Sequence, residues 1–120
     1  MFRTRNNILS IACVVATAAL LESANAISYT FEIAVENAHA SIGPMVSRIK
    51  FDGEVPSESA LTSYYTTNLR EGDIKNMFDS SIEDGNYIAW NKPIPVGTQL
   101  FTIEAESPVS EIEIVNWRPT

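Results

Sequence analysis

The sequence has few of the residues on which covalent cross-links and most enzyme chemistry depend. Cys13 is the single cysteine, so no disulfide can form within the chain, and His39 is the single histidine. A Ser-His-Asp or Cys-His device would have to be built around this histidine, and no nucleophile, zinc-protease or phosphate-loop motif is present. The composition therefore favours a non-catalytic protein over an enzyme.

Basic residues are scarce as well. Eight Lys and Arg stand against fifteen Asp and Glu, which gives a net charge of −7 at pH 7. The few basic residues form no stripe of the kind that neutralises phosphates. We therefore expect neither nucleic acid nor an anionic membrane surface as a partner of this acidic chain.

A long apolar run occurs only near the N-terminus. Two arginines precede the apolar residues 8–21, and residues 24–26 read Ala-Asn-Ala. These are the three regions of a secretory signal peptide, and the run is shorter than the roughly 20 residues that span a bilayer. We predict a cleavable signal peptide over residues 1–26, rather than an uncleaved anchor helix. The exported part is then one domain, residues 27–120, without a later membrane span.

Alternation of apolar and polar residues predicts strands in this domain. In residues 28–35 the side chains of Tyr29, Phe31 and Ile33 fall on one face, because the side-chain period of a strand is two. Further strands are predicted over residues 45–51, 61–69, 99–105 and 109–116, and one short helical turn is predicted over residues 73–78, capped by Asp73. Short strands with turn signals between them indicate an all-β fold, an antiparallel β-sandwich or jelly roll.

The predicted faces also name a core. In residues 45–51 we expect Ile49 on the inward face, and Val46, Arg48 and Lys50 on the opposite, outer face. We also expect Glu113 to point into solvent. The core is predicted to contain the large apolar residues of the inward faces: Phe31, Ile33, Ile49, Phe51, Phe101, Ile103, Ile112 and Ile114.

Three segments together resemble the galactose-binding-like jelly roll, the superfamily of the discoidin or coagulation-factor type C domains. They are residues 29–37 followed by 46–53, Asn76-Met-Phe-Asp79 with Asn86 and Trp90 after it, and Pro108 to Ile114. The resemblance implies binding loops at one end of the sandwich and a core position for Trp90. Members of the family continue with further strands, so it also implies either a truncated, minimal domain or an edge supplied by a partner.

An acidic loop carries the candidate metal site. Asp79, Glu83, Asp84 and Asn86 place four oxygen-bearing side chains within eight residues, next to Gly85. Calcium takes six to eight oxygen ligands from such groups and from backbone carbonyls. In the resembled family a calcium ion often lies near the loop that matches Asp79. The alternative is an acidic loop that is simply hydrated.

Aromatic side chains are the candidate ligand-binding residues, because a sugar ring stacks on an aromatic face. The candidates are Tyr64, Tyr65, Tyr87 and Trp117. Tyr64 and Tyr65 are adjacent, so on a strand one of them must face outward.

These features predict a secreted, lectin-like binding module that recognises carbohydrate or a cell-surface glycan through its end loops. One alternative is an assembly subunit of an extracellular complex, a homo-oligomer or a chain completed by a partner strand. A second is a small secreted effector or toxin that acts on a protein receptor. A hydrolase is a third; outward glutamates such as Glu111 and Glu113 are more typical of a solvated sheet than of a glycosidase pair.

Overall fold

The computed structural model describes residues 2–5, 11–17, 27–34, 42–79, 87–91 and 94–116. Within them the chain forms nine strands and two short 3₁₀ helices. The strands are β1 (Phe2–Arg5), β2 (Ile11–Thr17), β3 (Ile27–Ile33), β4 (Ile42–Phe51), β5 (Leu61–Tyr64), β6 (Leu69–Gly72), β7 (Ile88–Asn91), β8 (Gln99–Ala105) and β9 (Ile112–Asn116). The 3₁₀ helices are η1 (Glu58–Ala60) and η2 (Ile74–Phe78).

The strands form two sheets. One has five strands in the order β1-β9-β4-β7-β6, and the other has four in the order β2-β3-β8-β5. Neighbouring strands are antiparallel except β1 and β9, which are parallel. Side chains of both sheets meet in one apolar cluster, which includes Phe31 and Ile103 from the smaller sheet and Ile49 and Ile114 from the larger. The predicted all-β sandwich is therefore confirmed.

The core follows the predicted alternation. Of the eight predicted core residues, all but Phe51 are buried, and Phe51 packs against the cluster while partly exposed. The rings of Phe31 and Phe101 stack at a centroid distance of 4.7 Å, and Phe51 lies 5.3 Å from Tyr29. Each fully buried large apolar side chain contributes about 1.5–3 kcal/mol, so this cluster supplies most of the driving force.

A bulge in β4 corrects one prediction. The register between β4 and β9 shifts between Val46 and Arg48. Because a bulge adds a residue to one strand, Val46 and Ile49 both point into the core and are fully buried. The expectation that Val46 shares the outer face with Arg48 and Lys50 was wrong.

The segment predicted as one strand over residues 61–69 is two strands in different sheets. β5 pairs with β8, and β6 pairs with β7. Between them Asn68 has a φ of 62°, the left-handed region that asparagine tolerates. Its carbonyl accepts a hydrogen bond from the Asn91 N–H at 2.6 Å. The predicted helical turn is present as η2, where the Asp73 carboxylate accepts from the Lys75 N–H at 3.0 Å.

The outer face of the larger sheet is also partly covered. Glu113, expected to point into solvent, is 6% exposed, and Arg48 on the same face is 4% exposed. The register places Lys50 of β4 beside Glu113. A carboxylate beside a basic position is less costly to bury than an isolated one, and alternation within β9 alone does not reveal that neighbour.

Two strands come from the predicted signal peptide. β1 pairs with β9 from Phe2↔Ile112 to Arg5↔Val115. β2 pairs with β3 from Ile11↔Ile33 to Thr17↔Ile27 without a register shift. In the full-length chain these strands therefore occupy one edge of each sheet. Among the described residues, no helix has the length and apolar character that crossing a bilayer requires.

Candidate functional site

The adjacent tyrosines of the β5 end have different environments. Tyr64 is 38% exposed, whereas Tyr65 packs against the core. The backbone of Tyr65 is held on both sides: its N–H donates to the Leu100 carbonyl at 2.7 Å, and its carbonyl accepts from Trp90 Nε1 at 2.9 Å. Trp90 is fully buried, as the family resemblance implied. Tyr64 is therefore the one of the pair that a ligand can reach.

The other aromatic candidates lie elsewhere. Tyr87 is half-buried at the start of β7, and its carbonyl accepts from Asn76 Nδ2 at 2.8 Å. Trp117 and His39 lie outside the described residues. Tyr64 ends β5 in the smaller sheet, whereas Tyr87 immediately precedes β7 in the larger sheet.

The predicted metal site is described only at Asp79, which follows η2; its N–H donates to the Asn76 carbonyl at 3.4 Å. Glu83, Asp84 and Asn86 lie outside the described residues. In the part of the chain that is described, no group of three or more His, Cys, Asp or Glu is placed to hold a metal ion. Calcium binding by this loop stays a prediction.

Asp79 lines a shallow depression of about 370 Å³, which we call the η2 depression. Its lining combines charges of both signs with one aromatic ring: Glu58, Lys75, Asn76, Phe78 and Asp79. The Lys75 ammonium already lies 3.7 Å from the Asp73 carboxylate, and both side chains are exposed. This surface therefore offers a hydrated ion pair more than a defined binding site.

A second groove, of about 420 Å³, lies where the loop before β5 meets the ends of β4 and β8. We call it the Ser-Glu groove. It is lined by Phe51, Pro56, Ser57, Ser59, Ala60, Glu104, Ala105 and Glu106. Its volume falls within the roughly 300–1,000 Å³ of small-ligand pockets.

The apolar part of the Ser-Glu groove is tied to the core. Phe51, Ala60 and Ala105 pack against the buried cluster, and the Phe51 ring is tilted against Tyr29. The backbone of Phe51 exchanges two hydrogen bonds with Glu54, at 2.7 and 3.0 Å. These contacts fix the apolar floor before any ligand binds.

The polar part of the groove is exposed and partly ordered. Ser57 caps η1, where its hydroxyl oxygen accepts from the Ser59 N–H at 3.4 Å, and the two hydroxyls lie 2.9 Å apart. Glu104 and Glu106, two residues apart at the end of β8, add two exposed carboxylates. The apolar floor is thus bordered by the serine hydroxyls of the loop before β5 on one side and by the carboxylates at the end of β8 on the other.

The sequence pattern did not identify this groove. By composition residues 54–60 are a polar connection between strands, in which Ser57 followed by Glu58 is a typical start of a helical turn. Their proximity to Glu104 and Glu106 depends on the register of β5 with β8, which pairs Leu61 with Ile103. No local spacing in the sequence carries that information.

Comparisons with models of protein families, with curated proteins and with solved structures give no match to this chain.

Proposed function

We propose that the chain is an exported, non-catalytic binding module that recognises neutral carbohydrate in the Ser-Glu groove. The observation that carries this proposal is the joining of an apolar floor with hydroxyl and carboxylate groups in one groove of about 420 Å³. The predicted signal peptide supports export, and the resemblance to the galactose-binding-like family agrees with the ligand class.

The groove matches the two surfaces of a sugar ring. The C–H face of a pyranose is apolar and would rest on Phe51, Pro56 and Ala105. Its hydroxyls would donate to the carboxylates of Glu104 and Glu106, because an ionised carboxylate is an acceptor only and forms strong hydrogen bonds. Serine hydroxyls both donate and accept, so they suit the remaining sugar hydroxyls.

Charge restricts the ligand to neutral or cationic sugars. The described residues that line the groove include two glutamates and no Lys or Arg, and the net charge of the chain is −7. Phosphorylated, sulfated or sialylated glycans would be repelled. The lining residues also include no histidine to activate Ser57 or Ser59, which supports binding rather than hydrolysis.

The test uses the product that a secreting host exports from the full-length chain. A glycan array identifies neutral saccharides that bind, and isothermal titration measures their affinities with and without calcium. Glu106→Gln keeps an acceptor but removes the charge that strengthens its hydrogen bond, a difference of about 1–1.5 kcal/mol, so it should weaken binding roughly 5- to 12-fold.

The matched control is Glu58→Gln, the same change of charge in a side chain that lines the η2 depression instead. It should leave the affinity within about twofold. Equal effects of the two substitutions, or no neutral saccharide bound at all, would overturn the proposal. If Tyr64→Ala abolished binding and Glu106→Gln did not weaken it, the binding site would lie at β5 instead of the Ser-Glu groove. If binding strictly required calcium, the site would lie in the loop after Asp79.

A further inference from the structure

The backbone of β3 directs half of its polar groups toward β2. At one end of β3, Ile33 exchanges hydrogen bonds with the β8 side: its N–H donates to Thr98 at 3.0 Å, and its carbonyl accepts from Gly97 at 2.8 Å. The register with β8 shifts between Phe31 and Glu32, but the skipped residue is Leu100 of β8, so β3 keeps its alternation, in which successive residues point to opposite neighbours. The backbone groups of the even-numbered residues, Ser28 and Thr30 among them, therefore point away from β8 and toward β2.

The pairing of β8 with β5 also indicates that the Thr30 backbone groups point toward β2. The Thr102 carbonyl accepts from Thr62 Oγ1 at 3.3 Å, on the β5 side. Thr102 is the register partner of Thr30, and residues opposite each other in antiparallel strands share one hydrogen-bonding class. The Thr30 backbone thus pairs with β2, where Val14 is its register partner.

Removal of residues 1–26 would uncover this edge over seven residues. This step rests on the export and processing proposed above. β3 is not built as an edge: Tyr29, Thr30, Phe31 and Ile33 are all buried, and the strand contains no Pro or Lys of the kind that protects edges. Unpaired N–H and C=O groups beside a buried apolar face form a template for another strand.

We propose that in the processed protein β3 of a second copy takes the place of β2, antiparallel and related by a twofold axis at Thr30. The four-stranded sheet then continues across two molecules. Thr30 faces Thr30 of the second copy, Ser28 faces Glu32, Tyr29 faces Phe31, and Ile27 faces Ile33. The even-numbered pairs each exchange two N–H···O bonds, which agrees with the direction of their backbone groups.

The side chains of β3 are complementary to themselves in this register. Tyr29 and Phe31 form two aromatic cross-strand pairs on the core face, where such pairs are favourable. Glu32 is the only charged residue of β3, and it faces Ser28 rather than a second Glu32. The axis at Thr30 uses all seven residues, and any other axis shortens the pairing.

The other edges fit a second copy less well. β5 and β6 have four residues each, and each has a register shift in the pairing with its neighbour. β9, which cleavage would also uncover, has five residues and includes the buried carboxylate of Glu113. Among the edges that the structure describes in residues 27–116, a pair of β3 strands is therefore the longest regular pairing. Two grooves in one dimer would also raise the avidity for a multivalent glycan.

The experiment measures the mass of the exported product. The full-length chain is expressed in a secreting host, the N-terminus of the product is read by mass spectrometry, and its association is followed by sedimentation equilibrium at micromolar concentrations. We expect an N-terminus at Ile27 and a dimer. A folded monomer beginning at Ile27, or an exported protein that retains residues 1–26, would overturn the inference.

Charge substitutions test the register. Ser28→Glu places two pairs of like charges across the twofold axis and should weaken the dimer by roughly 2- to 30-fold. The double variant Ser28→Glu/Glu32→Lys should restore it, and Ser28→Lys should strengthen it. Ser28 is also the register partner of Glu104, but the single and double variants share that contact, so their difference reports the dimer alone.

A dimer that does not respond to these substitutions uses another surface and contradicts the inference. The outcome for glycan binding is separate: a dimer without any saccharide ligand contradicts the proposed function only, and a saccharide-binding monomer contradicts only the dimer.

Discussion

Among the glycines that the structure describes, Gly72 is the one where an added methyl group should harm the fold most. It ends β6 with a φ of +88°, and a Cβ built on it would lie 2.0 Å from the Tyr87 carbonyl oxygen and 2.9 Å from Ile88 Cα. Gly97 is a natural control, since its φ is +93° but a Cβ there has no neighbour within 4 Å. Both alanine variants carry backbone strain, and only Gly72→Ala adds a steric clash.

The difference between the two variants can be estimated. A left-handed conformation costs an L-residue about 1–2 kcal/mol, and this applies to both. At Gly72 the obstacle is backbone, which cannot rotate away as a side chain can, so the Gly72↔Ile88 pairing of β6 with β7 must open. Overpacking costs about 1–3 kcal/mol. Gly72→Ala should therefore lose about 2–5 kcal/mol, out of a total of about 5–15 kcal/mol.

Urea and thermal unfolding of the full-length variants, followed by far-UV circular dichroism, measure this difference. With an unfolding entropy of about 2.1 cal/mol/K per residue, each kcal/mol corresponds to roughly 4 °C in Tm for this chain of 120 residues, so the Tm of Gly72→Ala should be lower than that of Gly97→Ala by about 4–12 °C. Equal Tm values for the two variants would refute the reasoning, because the clash would then have no energetic consequence.

Two other contacts give sharp predictions. Trp90→Phe removes the hydrogen bond from Nε1 to the Tyr65 carbonyl and leaves a cavity in the core. Urea unfolding should therefore show that the free energy of unfolding falls by about 2–4 kcal/mol. A fall of less than about 0.5 kcal/mol would contradict the contact. Asp52→Ala removes a carboxylate that accepts from the backbone N–H of Ser110 at 3.0 Å and of Glu111 at 2.8 Å. It should lower the free energy of unfolding by about 1.5–3 kcal/mol. Asp52→Asn should lower it less, because asparagine keeps an acceptor and tolerates the φ of 51°. Equal losses in the two variants would show that these bonds do not stabilise the fold.

The alternation of apolar residues was enough to predict the strands that carry the core. β3 and β8 lie within one or two residues of the predicted segments, because each alternates over seven residues around the stacked Phe31 and Phe101. The alternation did not predict the positions where the pairing between neighbouring strands changes. The bulge beside Val46 and the turn at Asn68 depend on how β9 and β7 align with their neighbours, and a single segment does not record that alignment.

The candidate site was harder to predict than the fold. Its serines and glutamates are more than forty residues apart in sequence, and the register of β5 with β8 brings them together. The alternation of adjacent strand residues did predict that one of Tyr64 and Tyr65 faces outward, and in the structure Tyr64 is exposed while Tyr65 packs against the core. Burial of Glu113 required knowledge of the neighbouring strand β4, which supplies Lys50 at the matching position.

The parallel pairing of β1 with β9 sets an order for biosynthesis. Phe2 meets Ile112 and Arg5 meets Val115, so β1 can dock only after β9, about 110 residues later in the sequence, has left the ribosome. Contacts between such distant parts of a chain form slowly. Until then the N-terminal segment has no β9 to pair with and stays accessible to whatever factor binds it during translation.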